Sequence, residues 1–247
     1  DHSSTDYMGT GYVNHNWGLW NSDMDALDNG DKQGILYSMG CDPAAYDQNC
    51  IGEHFVRNSN GGGIAFIGNS RYGWYNPGNV NTLSLAYDVH FFKSIFEKNL
   101  YNLGVAFSDH KNDGYQNDDY YEYCYTELTL LGDPELPIWK EDPISVTVTH
   151  PDQLYTGSSS FTVSVASEGN PITQTYVCLW KDTDVYVTGF TNTEGQVTFD
   201  LLTTSPGTMS VTVTKQNYLP YEGTVNVVEE QPSPLLTITD INGGLLN

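Results

Sequence analysis

The residues with the greatest chemical reach lie at Ser38-Met39-Gly40-Cys41-Asp42-Pro43, where a short apolar run, Gly34-Ile35-Leu36-Tyr37-Ser38-Met39-Gly40, gives out on a thiol. Open α/β sheets bind ligands outside the carboxyl ends of their strands. A small residue such as Gly40 would let a substrate approach the backbone there. Cys41 is therefore a candidate nucleophile, and the alternative is a small buried thiol that only fills space. A cysteine nucleophile needs an imidazole to hold its thiolate, and donors for the oxyanion that forms when a carbonyl is attacked. The preceding strand ends at Tyr7-Met8-Gly9-Thr10-Gly11, whose glycines suit a tight turn with an exposed amide. The N–H groups of Gly11 and Cys41 are thus the oxyanion candidates. His15, in Asn14-His15-Asn16-Trp17, is the histidine that soon follows this turn and the candidate base. The alternative for it is an ordinary loop histidine.

These residues need a scaffold, and the hydrophobic pattern supplies one. Gly34 to Gly40 and Gly63-Ile64-Ala65-Phe66-Ile67-Gly68 read as buried strands, with a short helix-compatible segment, Ile51 to Asn58, between them. Leu85, Val89, Phe92, Phe96 and Leu100 recur at helical spacing and fall on one stripe of a long helix. Strand, helix, strand, helix implies a parallel sheet. The grammar changes at Trp139-Lys140-Glu141-Asp142-Pro143, a charged linker bounded by proline, which puts a domain boundary near 143. Beyond it the period becomes two: Ile144/Val146/Val148, Phe161/Val163/Val165, Tyr176/Cys178/Trp180, Val185/Val187, Val197/Phe199/Leu201, Met209/Val211/Val213 and Val225/Val227. Seven short strands in about 85 residues, separated by turn residues, point to an Ig-like sandwich. The expected organisation is an α/β domain over 1–143, an all-β sandwich over 144–229, and a linker with the start of a further segment over 230–247.

Charge removes whole classes of function. The chain has 9 Lys and Arg against 31 Asp and Glu, a net charge of -22. No nucleic-acid partner is expected, because nothing here could neutralise a run of phosphates. A composition 38% hydrophobic and 13% aromatic is that of a folded protein rather than an acidic disordered tail. No apolar stretch reaches the roughly 18 residues a membrane span needs. Cys41, Cys50, Cys124 and Cys178 are too sparse for a disulfide framework.

Taken together, Tyr7 to Gly11, Ala26-Leu27-Asp28-Asn29, Tyr37 to Cys41, Tyr46-Asp47, Cys50-Ile51-Gly52-Glu53, Gly62 to Ser70 and Leu131-Gly132-Asp133-Pro134-Glu135-Leu136 resemble the gingipain family of cysteine peptidases. The β half is similar to the Ig-like domain that follows the catalytic domain there, through Gly189-Phe190-Thr191, Gly195-Gln196-Val197 and Lys215 to Pro220. The resemblance implies a caspase-like α/β/α fold, secretion or a cell-surface location, and hydrolysis of protein or peptide substrates by a Cys-His pair, with no cofactor required. It also implies earlier strands, so the peptidase domain is expected to be N-terminally incomplete, its remainder missing or separately processed. One departure matters. The family pattern reads Gly-His-Gly where this chain has Gly9-Thr10-Gly11, and a threonine hydroxyl cannot act as a base at neutral pH. Either His15 swings back over Cys41, or the domain is a pseudo-peptidase acting as a surface or adhesion module.

Other signals are weaker. Trp74 and Tyr75 could wall a substrate pocket that Thr10 also borders, but the loop from Arg71 to Gly78 offers no acid, so no basic side-chain preference is expected. Asp109-His110-Lys111-Asn112-Asp113-Gly114 hints at a calcium loop yet fails the EF-hand pattern, so a solvated acidic loop is the alternative. The family resemblance nevertheless leaves room for calcium as a structural ion, with Asp109 and Asp113 as its candidate ligands. Cys50 reads as structural, Cys178 as a buried thiol, and His54 as a packing residue.

Overall fold

A computed structural model describes residues 2–10 and 17–229. The chain divides into two compact units, Asp1–Lys140 and Glu141–Asn247. The first opens with a three-stranded antiparallel sheet of β1 (His2–Ser4), β2 (Tyr7–Thr10) and β3 (Trp17–Trp20). There follow α1 (Asn21–Asp25), β4 (Gly34–Ser38), α2 (Ile51–Arg57), β5 (Gly63–Asn69), α3 (Leu83–Phe96), α4 (Leu103–Gly114), α5 (Asp119–Glu127) and β6 (Leu128–Gly132).

The second sheet of this unit runs β4-β5-β6, and β5 is its centre. The β4 and β5 strands pair in parallel across the α2 crossover, as their unbroken apolar runs require, since both faces of such a strand are covered. Alternate side chains of β5 serve two cores. Ala65 and Ile67 pack with Tyr87, Phe91, Ile95 and Leu103, whereas Phe66 packs with Met24, Ile51 and Phe55.

Three expectations need correction here. The strand ending at Thr10 does not belong to the parallel sheet; it sits in the separate β1–β3 hairpin sheet, while β6 closes the β4/β5 pair antiparallel. The helix over 83–96 exists, but Phe92 and Phe96 are 47% and 58% exposed. Its buried stripe is Tyr87, Phe91, Ser94 and Ile95. The helix carries two adjacent apolar stripes, and spacing alone does not choose between them. Finally, the acidic stretch expected as a loop is mostly helical. Asn102 accepts from the Val105 N–H at the start of α4, and Asp118 accepts from Tyr120 N–H at the start of α5, where a short acceptor side chain satisfies a free amide.

The second unit is all β. Its strands are β7 (Thr147–Thr149), β8 (Gln153–Tyr155), β9 (Gly157–Ser167), β10 (Asn170–Pro171), β11 (Tyr176–Lys181), β12 (Val185–Phe190), β13 (Gln196–Thr203), β14 (Gly207–Thr214) and β15 (Tyr221–Val228). One sheet runs β10-β9-β13, with β7 also on β9; the other runs β12-β11-β14-β15-β8. Phe161, Val163, Val165 and Leu201 from the first sheet meet Val177, Leu179, Met209, Val211 and Val225 from the second in one apolar core. The alternating runs lie on strands, except that the first begins only at Thr147, with Ile144 held by a bridge to Tyr218. The short strands β8 and β10 carry no such alternation. Cys178 is not a buried thiol: it lies on the outward face of β11, half-buried between exposed Tyr176 and Trp180. Residues 230–247 lie outside the described residues. Among those described, no helix is long and apolar enough to cross a membrane.

Candidate active site

Cys41 stands three residues beyond the carboxyl end of β4, half-buried, on a loop that three other segments hold in place. From the end of β5, the buried Asn69 amide donates to the carbonyls of Met39 at 3.1 Å and Gly40 at 2.9 Å. The next residues complete the tie, with Asp42 N–H donating to the Arg71 carbonyl at 2.7 Å and Ala44 N–H to the Asn69 carbonyl at 3.1 Å. The Cys41 sulfur lies 3.8 Å from the Gly73 carbonyl oxygen. Gly73 has to be glycine, because a Cβ there would sit 2.1 Å from the Met39 carbonyl oxygen. From the hairpin sheet, Ser3 Oγ donates to the Cys41 carbonyl at 2.9 Å. Asp42 then turns the chain with a φ of 61°, a left-handed conformation that aspartate tolerates better than most residues.

Gly40 was expected to leave space for substrate. The structure fills that space: a Cβ at Gly40 would meet Ser3 Oγ at 2.0 Å and the Ser3 backbone nitrogen at 2.9 Å. The glycine serves the approach of β1, not of a ligand.

The electrostatics around the thiol are acidic. Burial raises the Cys41 pKa, the Gly73 contact opposes this, and the charges of Asp42 and Glu127 push it further up. Among the described residues, no imidazole hydrogen-bonds to the sulfur. Glu127 is unusual in itself. It ends α5, 4% exposed, and neither carboxyl oxygen has a partner. Its backbone carbonyl accepts from both the N–H and Oγ of Ser70, each at 2.9 Å, which fixes α5 beside the Cys41 loop. Burial lifts its pKa to about 8, Asp42 adds to the rise and Arg71 opposes it. An unpaired acid in this position stays protonated at neutral pH.

Of the residues singled out from the sequence, Gly11 and His15 lie outside the described residues. Thr10 closes β2 opposite Trp17. Trp74 and Tyr75 line a cleft of about 480 Å³ together with Asn76, Gln116, Asp118 and Tyr120. The Trp74 ring lies 5.1 Å from that of Tyr120 and 6.0 Å from that of Tyr123, so it is partly a packing residue. Asp109 and Asp113 do not form a calcium loop. They are one turn apart on α4, and Lys98 Nζ reaches Asp109 at 2.8 Å and Asp113 at 2.5 Å, taking the place a cation would need. No cluster of three metal-ligating side chains is present among the described residues. His54 bonds Asp25 at 2.6 Å and Asn49 at 3.0 Å through its two ring nitrogens, at the surface. Cys50 is buried at the start of α2.

Sequence reasoning missed Ser3, Asn69, Gly73 and Glu127. A polar residue ending an otherwise apolar strand was the available sign for Asn69. Glu127 looked like any other acid of α5.

The model of peptidase family C25 matches residues 2–139. The chain belongs to this family. A Lys-gingipain of Porphyromonas gingivalis is 27% identical over 246 residues, covering 90% of this chain and 14% of the relative. A second Lys-gingipain of that organism is 26% identical over 239 residues, covering 87% of this chain and 13% of the relative. The C25 chain thus spans about one seventh of the length of these relatives. Among solved structures, the Arg-specific cysteine proteinase gingipain R superposes with a TM-score of 0.73 at 18% identity, covering 92% of this chain and 51% of that one. A structure described only as a protease gives 0.68 at 23% identity, with 92% and 53% covered. At such identities the likeness shows the C25 fold, and the chemistry has to be argued from the residues present.

Proposed function

We propose that this chain carries a cysteine-peptidase site for protein or peptide substrates, on a caspase-like unit followed by an Ig-like sandwich, secreted or at the cell surface. Cys41 is the nucleophile, His15 its base, and the amides of Gly11 and Cys41 the oxyanion donors. The observation that supports this reading is the placement of Cys41: a half-buried thiol past the end of β4, on a loop fixed by Asn69, Arg71 and Ser3. That is where a strand-end site has to be. In the reaction the thiolate attacks the peptide carbonyl, the carbonyl oxygen becomes an anion held by the amides, and the imidazole passes the thiol proton to the leaving amine. No cofactor enters these steps. A structural calcium ion would need ligands other than the Asp109 and Asp113 pair that Lys98 bridges.

A second reading has its own support. Burial and the Asp42 carboxylate hold the thiol protonated, and threonine stands where gingipain-type enzymes have histidine. Without a base the rate falls about a hundredfold to ten-thousandfold, leaving a pseudo-peptidase that serves as a surface or adhesion module. Iodoacetamide labelling at pH 6 separates the two. Labelling of Cys41 well ahead of half-buried Cys178, lost in His15→Ala, supports the peptidase; equal and slow labelling of both supports the pseudo-peptidase.

A further inference from the structure

The outward face of the β12-β11-β14 sheet carries a feature that neither reading uses. On β11 and β12, Tyr176, Trp180, Tyr186 and Phe190 are 37%, 50%, 72% and 57% exposed. The register pairs them across the strands, Trp180 with Tyr186 and Tyr176 with Phe190, the latter rings 5.3 Å apart. Between the two aromatic pairs lie only Cys178 and Thr188. Four residues of strand separate the pairs, about 13 to 14 Å, so two aromatic ridges flank a low saddle.

The adjoining strand decides what could lie there. In register beside Trp180, Cys178 and Tyr176, β14 presents Ser210, Thr212 and Thr214. The three strands put no charged side chain on this face, in a chain whose net charge is -22. An anionic partner is repelled by the molecule as a whole, and the charge nearest the hydroxyl row is the carboxylate of Glu222, paired with Thr212 from β15. An apolar protein surface would strip water from the hydroxyl row without replacing its hydrogen bonds. Serine and threonine are accordingly scarce at the energetic centres of protein interfaces. The ligand that matches a row of rings beside a row of hydroxyls is uncharged, with apolar C–H faces to stack and hydroxyl edges to bond. Aromatic side chains combining an apolar face with a polar tip suit such a ligand.

We propose that this face binds a neutral polysaccharide, with sugar rings about two to three units apart in the polymer stacked on the two aromatic ridges and the hydroxyls of the polymer bonded to the Ser210, Thr212 and Thr214 row. This function is independent of the state of Cys41. The test is retention of the full chain on crystalline cellulose and its retardation in gels containing xylan, mannan or β-1,3-glucan. Retention on at least one is expected, with affinity falling about tenfold in each of Trp180→Ala and Tyr186→Ala. Leu202→Ala, which removes an exposed apolar side chain on the opposite sheet, leaves it unchanged. Tyr186 is exposed enough that its replacement does not threaten folding, and thermal unfolding of each variant checks this. No retention on any of the four, or binding insensitive to both aromatic variants, would overturn the proposal. So would concentration-dependent dimerisation abolished by Tyr186→Ala, which would make the face a contact between copies of this chain.

Discussion

The two units handle buried polarity in opposite ways. In the α/β unit, burial shifts groups far from their ordinary pKa: the Glu127 carboxyl is pushed up to about 8, the Cys124 thiol up to about 11 and the His110 imidazole down to about 4. In the sandwich, among the described residues, the shifted group is Asp184, held below the usual carboxylate range by hydrogen bonds from Thr204 and Lys181. The sandwich fills its interior mostly with apolar side chains on strands of period two and pairs its buried Lys181 with Asp184 at 2.9 Å. The other unit tolerates unpaired or desolvated polar groups, and two of them, Cys41 and Glu127, are both pushed up by burial and by Asp42. Polar strain of this kind collects at working sites.

The largest effect should come from the apolar side. Phe161→Ala, at a fully buried position in the sandwich core, is expected to cost about 3 to 5 kcal/mol in urea unfolding. A loss well under this would show that the sandwich packs less tightly than its pattern implies. On the polar side, Gly73→Ala drives a methyl into the Met39 carbonyl; a cost of about 1 to 3 kcal/mol is expected. It should come with an altered rate of Cys41 alkylation, and an unaltered rate would mean that Gly73 does not set the thiol's position. Asn69→Leu leaves the Met39 and Gly40 carbonyls unpaired, for about 1 to 3 kcal/mol. Mass-spectrometric hydrogen exchange across residues 38–45 should rise in that variant, and unchanged protection would refute the tether.

The remaining effects are pH slopes, and they oppose each other. Glu127 has a folded pKa above its ordinary 4.5, so its contribution to stability is complete below that value and is lost as pH rises through about 8. His110, surrounded by Tyr37, Tyr87, Phe91 and Phe107, has a folded pKa below its ordinary 6.5 because burial disfavours its charge. The unfolded chain binds the extra proton, so stability falls as pH drops from 6.5 towards 4. Glu127→Gln should flatten the alkaline limb of a melting-temperature profile, between pH 6.5 and about 8, and steepen the acid limb, because between 4.5 and 6.5 the two opposing slopes had cancelled. Loss of both limbs together would mean that the two groups are not separately responsible.

Much of the scaffold was legible because it is written locally. The apolar runs of β4 and β5, and the alternation of β9, β11, β13, β14 and β15, specify strands through their immediate neighbours. What the sequence concealed is set by distant partners. The assignment of β2 to its own hairpin sheet depends on pairing with β1 and β3. The buried face of α3 depends on α4 and α5, and α4 itself is disguised by Asp109, Lys111, Asn112 and Asp113. Lys98, eleven residues before Asp109, converts an apparent calcium ligand into half of an ion pair. At the candidate site Cys41 was legible as a thiol at a strand end. Its supports, Ser3, Asn69 and Gly73, lie 28 to 38 residues away in the chain.

The contact between Ser3 and the Cys41 carbonyl joins the chain's first strand to the peptide plane that carries the thiol. Removing the Ser3 hydroxyl, as in Ser3→Ala, would slacken that plane without touching the loop itself. A thiol at Cys41 would then sample several environments, read as alkylation kinetics with more than one phase in Ser3→Ala where the parent protein shows one.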